Sequence, residues 1–150
     1  MRGFSIIEII IVIALLLIIG GLTIAASIGE YRSVELRSDR ERLVTLFEHA
    51  RALSMQGVCS GACDISPAHG VAVTQNQIVV FQGNSYADSD GSYSVSFEKS
   101  EHTTYTGLSE VVFASLSGSV ATSGNFLLTD SFGKTATITI SSIGRILWSR

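Results

Sequence analysis

Proline is almost missing from this chain of 150 residues: Pro67 is the only one, so nothing before it forces a break in a helix. Charge is also sparse, at 15% of residues. The balance of 10 Lys+Arg against 13 Asp+Glu gives a formal −3, which supplies no long-range attraction to nucleic acid or to anionic lipid. A role in coating DNA is disfavoured on that ground. No phosphate-binding glycine loop, HExxH pair or GxSxG elbow occurs, and the three histidines, His49, His69 and His102, are scattered. The sequence therefore makes no case for an enzyme, a cofactor or a resident metal. Only two cysteines are present, Cys59 and Cys63, with Ser60-Gly61-Ala62 between them. Zinc would need two further ligands, and His69 alone does not supply them.

Against this background the first thirty residues stand out. From Ile9 to Ile28 there are twenty consecutive residues without a charge. As a helix rising ~1.5 Å per residue they would extend ~30 Å, the hydrocarbon thickness of a bilayer, and so predict a membrane helix. A removable secretory signal is the nearest rival, with Arg2 as its basic start and Thr23-Ile24-Ala25-Ala26-Ser27 as a cleavage site. The length of the run and Glu8, set between Ile7 and Ile9, count against it. An acid near a membrane helix's start costs up to ~3 kcal/mol unless something neutralises it.

Gly3-Phe4-Ser5-Ile6-Ile7-Glu8, followed by an unbroken apolar run, resembles the type IV prepilin signal. The resemblance implies cleavage between Gly3 and Phe4 by a prepilin peptidase, N-methylation of the new Phe4 amine, and Glu8 as the assembly glutamate. It implies other pilins or pseudopilins as partners through the helix, with an inner-membrane assembly platform. The location implied is single-pass in the inner membrane, head outside the cytoplasm, and pilus or pseudopilus after assembly. The leader is then Met1-Arg2-Gly3 alone. The spacing has its own chemistry: an amine and a carboxylate four residues apart lie one helical turn, ~6 Å, apart along the axis. A neighbouring chain's amine at the right offset would neutralise Glu8 and set the register of packing. The plain alternative is that Glu8 caps the helix dipole. Gly20-Gly21 replaces the helix-bending proline that many family members carry.

After Gly29 the pattern turns amphipathic. Leu36, Leu43, Phe47 and Ala50 form one stripe, widened by Leu46 and Leu53, opposite Arg37, Asp39, Glu41, Arg42, Glu48 and Arg51. This predicts one helix from Phe4 to about Met55, stopped at Gln56-Gly57, or an anchor hinged at Gly29 to a second helix. Beyond Gly57, strands are predicted at Gly70–Thr74, Gln77–Phe81, Ser92–Phe97, Glu110–Ala114, Phe126–Thr129, Thr135–Ser141 and Arg145–Ser149, with 115–124 a loop. The chain divides as leader 1–3, transmembrane and assembly helix 4–28, amphipathic continuation 29–57 and head 58–150. The expected fold class is α+β, a long membrane helix packed on an antiparallel two-sheet head.

The strand order, and the ending Ile140-Ser141-Ser142-Ile143-Gly144-Arg145-Ile146, resemble the H-type minor pseudopilins and FimT-type minor pilins. The function implied is a minor pilin or minor pseudopilin of a type IV pilus or type II secretion pseudopilus. Some of that group take part in DNA uptake through basic residues near the C-terminus, which makes Arg145 and Arg150 candidates for DNA contact, although no basic cluster surrounds them. A pilus-borne DNA- or surface-binding module and an unprocessed bitopic membrane protein are the competing readings. Cys59 and Cys63, in an exported loop, are expected to close a small disulfide ring. Asp88-Ser89-Asp90-Gly91 resembles a calcium loop, but its glycine comes too early and the third acid is missing, so a solvated turn is the expectation.

Overall fold

The computed structural model of the protein describes residues 5–63 and 65–149, with the backbone alone over 22–32. Helix α1 runs Ile6–Gln56. Its residues are shared between two compact units, Met1–Glu35 and Leu36–Arg150.

The expected membrane span is corrected. Among the described residues no helix is long and apolar enough to cross a membrane. The expected fold class is thereby overturned in its transmembrane part, and single-pass anchoring in the inner membrane is withdrawn with it. What the chain shows instead is a mostly antiparallel two-sheet fold in Leu36–Arg150.

Among the described residues eight strands follow α1: β1 (His69–Val73), β2 (Gln77–Gln82), β3 (Val95–Glu98), β4 (Thr103–Gly107), β5 (Glu110–Phe113), β6 (Gly124–Asp130), β7 (Thr135–Ile140) and β8 (Ile146–Ser149). They form two four-stranded sheets, ordered β3-β2-β1-β5 and β4-β6-β7-β8, with every pairing antiparallel. Residues of β1 and β2 are joined by the expected short turn, in which Thr74 receives Gln77 N–H at its hydroxyl and donates its own N–H to Gln77 O. Between β6 and β7 the Asp130 carboxylate accepts the Phe132 and Lys134 N–H groups at 2.9 and 2.8 Å, and closes that hairpin.

The core is built from alternate residues of both sheets and one stripe of the helix. Leu36, Leu43, Leu46, Phe47 and Ala50 meet Val71, Ile78, Val80, Val111 and Phe113 of one sheet and Phe126, Leu128, Ala136, Ile138 and Ile140 of the other. Phe47 and Phe126, both essentially inaccessible, have ring centroids 4.9 Å apart in a tilted arrangement. The stripe read from the sequence is this packed face, with Leu53 half-buried at its margin. Its supposed polar opposite is not uniformly solvated. Asp39 is half-buried and accepts the Thr103 hydroxyl at 2.5 Å, and Arg51 is half-buried; Arg40, outside that set, is buried.

The helix stops where expected. Gly57, at φ 62°, donates to Ser54 O, and Val58 N–H reaches back to Leu53 O at 3.0 Å, the paired bonds of a Schellman end. Two expectations about strands are revised. Strand β3 starts only at Val95, because the Asp90 carboxylate caps a short 3-10 turn over Gly91–Tyr93 by accepting Ser92 N–H at 2.9 Å. Strand β4 is an edge strand missing from the expected set, its inward Thr103 held by Asp39. The stretch 115–124 is largely loop, yet Val120 is buried, bridges Phe113 and donates its N–H to Ser142 O.

Candidate functional site

The first turns of α1 carry an arrangement that nothing among the described residues explains as packing. Ser5 begins the helix: its carbonyl accepts the N–H groups of Glu8 and Ile9 at 3.0 and 3.4 Å. Glu8 is the one acid of this first turn and is exposed. With Ile9, Val12 and Ile13 it lines a shallow cleft along one face. The twelve large aliphatic side chains from Ile6 to Ile19 range in exposure from 50% at Ile9 and Val12 to 79% at Ile6. An apolar helix left open on all its faces is a surface waiting for a cover, since monomeric proteins rarely show contiguous apolar patches of this extent. Gly20 and Gly21 stand in open space, so neither is there to admit a close neighbour within the chain.

Gly3 and Phe4, the residues assigned to cleavage and methylation, lie outside the described residues, as does Arg150. Arg145 is exposed in the turn between β7 and β8, where its N–H is accepted by the Ser141 hydroxyl at 3.1 Å and its carbonyl accepts Ser141 N–H. That is the contact set of a strand-end turn. Cys59 and Cys63 are joined in a disulfide with Cα atoms 6.2 Å apart. Gln82, at the end of β2, clasps the ring: its amide oxygen accepts Ser60 N–H at 2.8 Å and its amide nitrogen donates to Ser60 O at 3.2 Å. The ring is a staple for the segment after the helix, and it does not share a site with Arg145, which belongs to the other sheet.

One buried polar pair escaped the sequence reading. Ser54, fully buried in the last turns of α1, accepts the His69 N–H at 2.8 Å and so fixes the start of β1 to the helix end. The His69 imidazole is itself buried, and among the described residues its Nδ1 has no hydrogen-bond partner. Burial, and secondarily the nearby His49, push its pKa below the usual 6.5. A histidine at the start of a strand gives no local signal of this, because burial there depends on helix residues fifteen and more positions away.

Set beside known proteins, the chain matches no family model, no curated protein and no solved structure.

Proposed function

We propose that the chain is a structural filament subunit, a minor pilin or minor pseudopilin, that packs through the first turns of α1 against the corresponding helices of sister subunits. The observation that carries this is the exposed apolar surface from Ile6 to Ile19 interrupted by the single acid Glu8. Covering twelve half-exposed aliphatic side chains releases about 1 kcal/mol each, on the order of 10 kcal/mol before the entropy of association is subtracted. That drives association without choosing a register. Glu8 chooses it: buried among apolar helices, its carboxylate needs a cation, and in this reading the α-amine of a neighbour cleaved after Gly3 is that cation. The head, with its helix stripe under two antiparallel sheets, is then the part displayed. In this reading the protein is the substrate of a processing enzyme and has no catalysis of its own.

The test is intact-mass and N-terminal analysis of the protein expressed with and without a prepilin peptidase. The expected product begins at Phe4 with one added methyl group. Recovery of Met1 in both cultures overturns the proposal. A second arm replaces Glu8 by leucine, which raises apolar area while removing the acid. Incorporation into filaments falls by at least roughly tenfold, the loss expected when a pairing of ~1.4 kcal/mol or more is removed, whereas unchanged incorporation refutes the register role.

A further inference from the structure

We propose that the head binds a neutral polysaccharide chain across the outer face of the sheet β4-β6-β7-β8 and into the cleft at its β4 edge. Strand alternation sends Phe126, Leu128, Ala136, Ile138 and Ile140 to the core and their sequence neighbours to the opposite face. That face carries six threonines, Thr104, Thr106, Thr129, Thr135, Thr137 and Thr139, together with Asn125, Leu127, Leu147 and Ser149. None of these strand positions holds a charge; Lys134 and Arg145 stand in the turns at the two ends of the face. The register sets the side chains in rows: Thr104, Thr129 and Thr135 lie side by side across three strands, and Thr106, Leu127, Thr137 and Ser149 across all four. At ~4.8 Å between strands the longer row extends about 14 Å, room for more than one sugar unit.

Exposed protein surface usually intersperses charges of both signs, and their absence here narrows the partner. Of the six threonine hydroxyls only that of Thr106 has a partner among the described residues, Leu127 O at 3.4 Å. The other five are open to donate and accept. An apolar protein surface laid on the face would bury them without bonds, and a polyanion would find no cation there. A neutral sugar chain offers hydroxyls at its ring edges and C–H groups on its ring faces. These meet the threonine hydroxyls and methyls, and Leu127 and Leu147, which are 37% and 44% exposed. At the β4 edge Thr104 also lines a cleft of about 680 Å³, ample for a small ligand, with the exposed amides Gln75, Asn76 and Gln77 around the turn between β1 and β2. Amides donate and accept as hydroxyls do, and Glu98 and Glu101 of the same lining accept from a sugar while repelling a polyanion. Face and cleft thus share one chemistry and join at Thr104. The proposal is independent of how the first turns of α1 are used.

The experiment uses the full chain in a sugar-free zwitterionic detergent, run in native gels cast with dextran, laminarin, hydroxyethyl cellulose or heparin and compared with a gel lacking polymer. A flat face reads ring chemistry more than one linkage, so at least one of the three neutral glucans retards the protein, with a dissociation constant on the order of 1 mM per site, and heparin does not. Leu127→Lys, at an exposed position in the longer row, weakens retardation by at least roughly tenfold, the loss expected when a charge is set against a neutral chain. Thr104→Val and Thr137→Val keep the β-branched shape and remove one hydroxyl each, weakening it roughly threefold to tenfold. Asn84→Lys, an exposed position after β2, leaves it unchanged. Circular dichroism shows that each variant keeps its fold. No retardation by any glucan, equal retardation by heparin, or undiminished binding by any of the three face variants overturns the proposal. Sedimentation in the absence of polymer gives the last arm: a drop in self-association in Leu127→Lys without an effect on glucan binding assigns the face to a second copy of the chain and overturns the proposal as well.

Discussion

Arg40 of α1 places its guanidinium carbon 4.1 Å from the centre of the Trp148 ring on β8. The arginine is 5% exposed, while the tryptophan that covers it is 56% exposed, so the last strand acts as a lid over a charge on the helix. Arg40 also pairs with the Glu41 carboxylate at 3.3 Å. Trp148 is the register partner of the fully buried Ile138, which directs its ring to the core face at the sheet edge. The two residues are therefore coupled: a double-mutant cycle with Arg40→Ala and Trp148→Ala gives about 1 kcal/mol of interaction. Chemical unfolding of the four proteins measures it, and additive losses would show that the stacking contributes nothing.

The Cys59–Cys63 ring closes a short loop, so its effect on stability is modest. The chain-entropy account gives about 2 kcal/mol for so small a ring. Replacing both cysteines with serine lowers the unfolding free energy by that amount or less. The Ser60 bonds to Gln82 survive, since neither involves sulfur. A loss beyond ~4 kcal/mol in urea titration would mean that the ring organises more of the head than its own segment.

His69 makes stability depend on pH with a definite sign. Its folded pKa lies below the unfolded 6.5, so on acidification the unfolded chain takes up the proton first. The contribution is fully present above 6.5 and is lost as pH falls through 6.5 toward the lower folded value. Unfolding free energy therefore rises from about pH 5.5 to 7.5, a window chosen above ordinary carboxylate titration. The slope flattens in His69→Gln. An equal slope in both proteins would locate the dependence elsewhere.

Gly144 and Gly133 both have positive φ, 74° and 79°, but only one is crowded. A Cβ at Gly144 collides with the Gly118 carbonyl oxygen and approaches Arg51 Nε at 3.1 Å, while one at Gly133 meets nothing within 4 Å. Gly133→Ala costs about 1 kcal/mol from backbone strain alone. Gly144→Ala costs that plus a forced shift of the 115–124 segment, more than ~2 kcal/mol in total. Thermal unfolding of the two variants separates the terms, and equal losses would mean that the contact relaxes freely.

Much of this molecule is written in local pattern. The stripe Leu36, Leu43, Phe47 and Ala50, the helix stop at Gly57, the hairpin of β1 and β2 and the Cys59–Cys63 pair all follow from period, backbone freedom or short spacing, which neighbours in sequence decide among themselves. Strand β4 was illegible because Thr103-Thr104-Tyr105-Thr106 has almost no apolar alternation; Asp39, far back on the helix, holds it in place. Nothing in the residues around Arg40 records that Trp148, near the other end of the chain, lies over it. The membrane span inferred from a run of apolar letters is likewise absent among the described residues. Period and composition thus determine which elements form and which face each will bury. Only the tertiary structure decides which polar groups are enclosed with them, because a charge or an imidazole is desolvated by residues remote in sequence, and no local pattern records their arrival.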